Sequence, residues 1–168
     1  FGFVGALQPC IEYSFVEYAA KAHPEWSFVW IGGEKPGANL SALKALGNCH
    51  FLGIKPNDQL PQYLAQFDAC LNLFAVGKLS KDVSPLKFYE YLATGKPIIS
   101  TRQPDQILRY APLIHIADTA EQFTARCTEA LSDTQPERME ARIEEGRKNS
   151  WDSRVREMCA ILRDMGIL

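Results

Sequence analysis

The sequence predicts an α/β fold, a doubly wound parallel sheet with helices on both faces. Three observations predict it. Short apolar runs alternate with longer stretches of helical period along the 168 residues. Runs such as Phe28-Val29-Trp30-Ile31 are apolar at every position, which suits strands covered on both sides rather than on one. Gly, Pro and Asn punctuate the joins, as in His23-Pro24, Gly32-Gly33 and Gly95-Lys96-Pro97.

The elements follow in order. Residues 1–7 read as a strand and 11–22 as a helix, which His23-Pro24 ends because the residue before proline resists the helical region. A strand at 27–31 is closed by Gly32-Gly33; a short helix at 40–46 ends at Gly47; a strand at 49–52 ends at Gly53. Asn57-Asp58 is placed to cap a helix through Phe67 that lines up Leu60, Tyr63, Leu64 and Phe67. A strand at 69–74 leads into a loop at 75–83, and Ser84-Pro85 opens a helix that stops at Gly95. A strand at 97–100, a short helix near 103–109 and a strand at 113–116 come next. Three helices close the chain at 119–131 (with Asp118 as its cap), 136–148 and 151–163, and their polar faces carry mixed charge.

Length and composition predict one domain spanning 1–168, large enough to bury a core of its own. A hydrophobic share of 46% with a net charge of −2 excludes a disordered chain. With 18 Lys and Arg against 20 Asp and Glu, and no dense basic block, a nucleic-acid partner is disfavoured. No apolar run approaches the roughly 20 residues of a membrane span. The five cysteines are odd in number and form no C-x-x-C, which points to a reducing, cytoplasmic setting rather than a disulfide framework. His23, His50 and His115 are scattered, so no metal site is expected. The chain opens Phe1-Gly2-Phe3-Val4-Gly5, without Met and inside an apolar run, and the expectation is a cut through a longer protein at a domain boundary.

Several nucleotide and hydrolase signatures are absent. Gly77-Lys78-Leu79 and Gly95-Lys96-Pro97 both lack the hydroxyl residue of a P-loop. No G-x-G-x-x-G follows the first strand, and no G-x-S-x-G elbow occurs. In a doubly wound sheet, ligands bind outside the carboxyl ends of the strands. Attention therefore falls on the loops after Gly5, Ile31, Leu52, Phe74 and Ser100. Asp68 stands at the opposite end, where it is a lone carboxylate.

The stretch from Asp82 to Ile99 carries the chemistry. Ser84 is a good helix cap and Pro85 fits the first helical position. The N–H groups of Leu86 and Lys87 then point out of a positive helix end, and Lys87 adds a full charge, which together make an anion site. Glu90 lies three residues on, on the same face, where a carboxylate can accept hydrogen bonds from the paired hydroxyls of a ribose. Thr94 extends this polar stripe, and Phe88, Tyr89, Leu92 and Ala93 form the packed side. A nucleoside diphosphate suits this layout; a solvated Lys–Glu pair on an ordinary Ser-Pro helix is the plainer reading of the same residues.

The segment resembles the nucleotide-binding signature of the group 1 family of retaining GT-B glycosyltransferases: an acidic residue, seven intervening residues, then Glu in an "E-A/Y-hydrophobic-A-x-G-x-P-V/I" run. Asp82 and Glu90 stand at that spacing, and Glu90 to Ile98 follow the run. Further likenesses keep their order along the chain. Phe3-Val4-Gly5 is similar to the first strand of the family's C-terminal domain, Phe28 to Gly32 to its second strand, and Asn48 to Gly53 to "N-V-x-F-L-G". Leu60, Tyr63, Leu64 and Phe67-Asp68-Ala69 are similar to "L-x-x-Y/L … A/F-D-V", and Asn149-Ser150-Trp151 to the opening of the last helix. The run from Ser84 to Pro97 is also similar to a bacterial subgroup tied to cell-surface polysaccharide synthesis.

The resemblance implies a Rossmann-like half of a GT-B fold, the donor-binding C-terminal fragment of a two-domain enzyme. That enzyme would transfer a sugar from a UDP- or GDP-sugar to a hydroxyl of a saccharide or glycolipid acceptor, with retention. It implies Glu90 on the ribose hydroxyls and Ser84, Pro85 and Leu86 near the diphosphate and ribose. Asp82 would lie near the donor sugar, as the catalytic candidate, though shorter than the usual Glu. Ile54 and Lys55 would lie beside the base, and Gly32 and Gly33 would permit close approach of the backbone unless they are a simple turn. No metal and no covalently bound cofactor is implied. Partners would be the enzyme's own N-terminal domain and, through the full-length protein, a peripheral membrane contact.

One departure stands out. The family often carries Arg and Lys in the first loop for the phosphates, whereas Gly5-Ala6-Leu7-Gln8-Pro9-Cys10 has neither. Either Lys87 and the helix end supply the charge, or Lys78 or Lys81 substitutes, or donor binding is impaired. A nucleotide-sugar 2-epimerase of the same fold and a non-catalytic partner module remain the alternatives, with His115 a poor epimerase candidate.

Overall fold

A computed structural model describes residues 1–77 and 86–167. Among these residues, six parallel strands form one sheet in the order β3-β2-β1-β4-β5-β6: β1 (Gly2–Val4), β2 (Phe28–Ile31), β3 (Cys49–Gly53), β4 (Cys70–Asn72), β5 (Ile98–Ser100) and β6 (His115–Ile116). The helices are α1 (Tyr13–Ala22), α2 (Ser41–Lys44), α3 (Leu60–Gln66), α4 (Leu86–Ala93), α5 (Ala120–Leu131), α6 (Pro136–Lys148) and α7 (Trp151–Asp164). The doubly wound α/β class is therefore what the chain adopts. Among the described residues no helix is long and apolar enough to cross a membrane.

β1, β4 and β5 are buried at every position because consecutive residues serve different cores. Phe3, Trp30, Leu71 and Ile99 join α1 and α5 on one face, around Val16, Ala19, Phe123 and Cys127. Val4, Ile31, Cys70 and Ile98 join α3 and α4 on the other, around Leu64, Phe88, Tyr91 and Leu92. The β6 edge and the amino end of α6 are tied by buried charge. Fully buried Arg142 donates to the carbonyls of Leu113 and Gly95 and pairs with Asp133, which His115 and Arg138 also contact.

Several local expectations are corrected. The first strand is shorter than 1–7, since the chain leaves the sheet at Gly5 and Leu7 touches Glu34 only through an isolated bridge. The strand expected at 69–74 is confined to Cys70–Asn72, where β5 pairs with it. The first helix starts at Tyr13, because Glu12 is its cap and accepts from the Ser14 amide. Asn57-Asp58 does not cap α3 through a side chain; Asn57–Gln59 forms a 3-10 turn that runs into the helix. The segment near 103–109 is likewise a 3-10 helix, Asp105–Tyr110. Thr119, not Asp118, caps α5, its hydroxyl accepting from the Gln122 amide. Asp118 is instead held by both Arg102 Nε and Nη2.

Candidate functional site

The chain lays down β1, β2 and β3 outward in one direction, then returns to place β4 on the other side of β1. The switch point, where loops diverge and a crevice opens, lies between β1 and β4. These two strands pair only at Gly2 and Cys70. Beyond that point the gap is bridged from α4: the fully buried Tyr91 hydroxyl accepts from the Val4 amide at 2.8 Å and donates to the Val4 carbonyl at 3.3 Å. One phenol thus satisfies the backbone groups that continued pairing with β4 would have taken.

A cleft of about 280 Å³ opens at the carboxyl ends of β1, β2 and β3. Gly33, Ile54 and Lys55 meet there as expected neighbours, together with Gly5, Gly32, Lys35, Asn57 and Leu60. Ile54 is 79% exposed and stands over Gly33, close enough that a Cβ at Gly33 would meet its Cδ1 at 3.1 Å. The Lys55 ammonium lies 5.7 Å from the centre of the Tyr63 ring. Gly32 serves the chain itself: at φ +146° a Cβ there would sit 1.9 Å from the Gly5 carbonyl oxygen, so the two loops can cross only without a side chain.

A second cleft, of about 270 Å³, lies between α4 and the start of α7. Leu86 and Glu90 line it with Tyr89, Ala93, Gly146, Asn149, Ser150, Trp151 and Arg154. Glu90 is exposed. Arg154 stacks its guanidinium 4.8 Å from the Tyr89 ring centre and donates to the backbone and side-chain oxygens of Asn149, which holds a cation beside the carboxylate of Glu90.

Lys87 follows Leu86 of the second cleft and reaches past Gly5 of the first. Its side chain runs past Gly5, with Cδ 3.7 Å from where a Gly5 Cβ would be, and its ammonium sits 3.7 Å from the Phe3 ring centre and 4.6 Å from that of Phe74. Burial lowers its pKa to about 7, against a small opposing effect of the Cys10 thiol. Thr94, expected to extend the polar stripe, instead closes the helix: its hydroxyl donates to the Tyr91 carbonyl and accepts from the Lys96 amide. Ala93 is exposed, while Tyr91, absent from the expected packed side, is buried. Asp82, Ser84, Pro85, Lys78 and Lys81 lie outside the described residues.

A family model for "Glycosyl transferases group 1" matches residues 1–133. The chain belongs to the group 1 glycosyltransferases. It is 26% identical over 163 residues to TuaH of Bacillus subtilis (strain 168), named as a candidate teichuronic acid biosynthesis glycosyltransferase, covering 94% of this chain and 41% of that protein. Its fold recurs among solved structures. WaaG, a glycosyltransferase involved in lipopolysaccharide biosynthesis, matches at a TM-score of 0.60 and 19% identity over 87% of this chain and 40% of WaaG. The α,α-trehalose-phosphate synthase (UDP-forming) of Burkholderia vietnamiensis matches at 0.69 and 14% over 97% of this chain and 44% of that one. This group 1 glycosyltransferase chain thus spans about two fifths of the length of these three proteins.

Sequence reasoning missed Lys35, Asn57 and Leu60 in the first cleft and Tyr89 and Arg154 in the second. Lys35 sits in the loop after β2, and Asn57 and Leu60 open the 3-10 turn and helix that follow β3, at strand ends that the sheet topology already marks. Nothing local marks Arg154, which reaches the site only because α7 folds back beside α4. Among the described residues, no three His, Cys, Asp or Glu side chains gather as metal ligands.

Proposed function

We propose that this chain is the donor-binding half of a two-domain glycosyltransferase. It takes a sugar from a nucleoside diphosphate and passes it to a hydroxyl of a saccharide or glycolipid, with retention, in the making of cell-surface polysaccharide or glycoconjugate. The observation that carries the reading is Lys87 at the β1–β4 switch point, a cation without an acidic partner among the described residues. Its side chain passes Gly5, which lines the first cleft, and Glu90 of the same helix lines the second. An anion completes Lys87, and a base lies in the cleft that Gly33, the exposed Ile54 and Lys55 line.

In this reading Glu90 accepts from the ribose hydroxyls. Lys87 and the chain around Ser84, Pro85 and Leu86 hold the diphosphate, with Asp82 toward the sugar. The bond from the anomeric carbon to the diphosphate oxygen breaks, the bond to the acceptor oxygen forms, and the charge released onto the diphosphate is held by these groups. A UDP donor is favoured by the UDP-forming synthase among the fold relatives. TuaH and WaaG favour the cell-surface role. The free thiols of Cys10, Cys49, Cys70, Cys127 and Cys159 agree with a cytoplasmic setting.

Calorimetric titration with UDP, GDP and ADP tests the reading. One nucleotide binds selectively, and Glu90→Ala weakens it by about tenfold or more, as expected for lost hydrogen bonds to a charged group. Binding indifferent to Glu90, or no binding by the chain or the full-length protein, favours the non-catalytic partner module instead.

A further inference from the structure

We propose that nucleotide binding at this site is coupled to the uptake of one proton by Lys87, whose nitrogen is held between the Phe3 and Phe74 rings until a diphosphate completes it. The inference rests on the donor-binding reading above and adds to it a pH-dependent affinity.

The geometry makes the free lysine an awkward cation. An ammonium has three N–H donors, and among the described residues none of Lys87's finds an oxygen acceptor or a carboxylate. Its surroundings can be named element by element. β1 presents the Phe3 ring, and the segment after β4 presents the Phe74 ring. The loop after β1 presents the bare Gly5 and the Cys10 thiol, the one titratable group acting on Lys87 among the described residues. On α4 itself, Glu90 faces the second cleft. Ring faces attract a cation but replace only part of its lost hydration. The position therefore tolerates the neutral amine, in keeping with a pKa lowered to about 7 by burial.

A diphosphate reverses the balance, since an anion at hydrogen-bond distance favours the charged amine. The sign follows. Below about pH 7 Lys87 is already protonated and binding moves no proton. Above it the free protein holds the neutral amine, so binding takes up a proton, and affinity falls about tenfold per pH unit until the pKa of the complex is reached. A first-loop arginine would not behave this way, because it stays charged throughout.

The test is calorimetry of this chain with UDP from about pH 7.5 to 9, above the phosphate's own second ionisation near 6. Two buffers of different ionisation enthalpy count the protons. The wild type is expected to take up close to one proton at about pH 8.5 and to weaken about tenfold per pH unit. Lys87→Arg, with a permanent charge, should bind with no proton uptake and no slope. Lys87→Met should bind at least about tenfold more weakly, also without slope. A wild type without uptake, or a slope that Lys87→Arg or Lys87→Met retains, overturns the coupling while leaving the donor site intact. No UDP binding at any pH, by this chain or by the full-length protein, overturns the donor-site reading itself, and the coupling with it.

Discussion

The hydroxyl of Tyr91 stands in for a strand. It meets both backbone groups of Val4 where β1 and β4 part, and it is fully buried. Tyr91→Phe keeps the ring but strands a buried amide and carbonyl, so it is expected to lower stability by about 1–3 kcal/mol. A shift in the urea midpoint at unchanged m-value checks this. Asp133 is a second residue whose effect can be signed. Burial works to raise its pKa, but the His115 hydrogen bond and the charges of Arg142 and Arg138 outweigh it and hold the carboxyl below its usual range. A depressed carboxylate contributes stability that is present above its unfolded pKa of about 4 and is lost as pH falls through the lower folded value. Thermal unfolding should therefore show the wild type losing stability below about pH 4, and Asp133→Asn losing less over the same range.

At the scale of elements, the crossing of α4 and α6 shapes the second cleft. Gly146 lies against Ala93 so closely that a Cβ would fall 2.6 Å from the Ala93 nitrogen and 2.7 Å from its Cα. Backbone atoms cannot swing aside as a side chain can, so Gly146→Ala must push α6 away from α4. It is expected to cost about 1–3 kcal/mol and, because Gly146 lines the cleft with Glu90 and Arg154, to weaken nucleotide binding as well. Gly47→Ala is the matched control. Nothing lies within 4 Å of its added methyl, so it should be neutral or slightly stabilising. Parallel melts and titrations of the two variants separate the effect of the crossing from that of simply adding a methyl.

At the scale of the molecule, the two cores are closed but α7 is not. Trp151, Val155 and Met158 recur at helical spacing on α7 and are 70%, 49% and 60% exposed. Because these side chains bury little in this chain, Val155→Glu and Met158→Glu should each change its unfolding free energy by no more than about 0.5 kcal/mol. A comparable change at Phe88 or Leu92, both fully buried in the core beneath α4, should unfold it. Thermal melts of the four variants decide the matter. The contrast marks where this chain's own stability ends and where apolar surface is left over.

Much of the fold is legible in the residues themselves. Apolar runs name the strands, and Pro24, Gly95 and Pro97 mark the helix ends, because such effects act over neighbouring residues. The Asp82 to Glu90 spacing and the ordered likenesses along the chain are enough to name the family. Local signals fail where two caps compete, as at Asp118 and Thr119: both residue types can accept from a helix amide, and Arg102 engages the first. Only the tertiary structure decided the strand order, and with it the switch point. It also decided the fates of Lys87 and Glu90. Three residues apart on a helix, they share a face in sequence terms. In the fold, the parting of β1 and β4 and the missing side chain of Gly5 open a slot that draws Lys87 between two rings, while Glu90 stays in solvent. Helical periodicity sets the direction in which a side chain leaves its helix; what it meets there depends on strands distant in sequence, and that contact sets its charge.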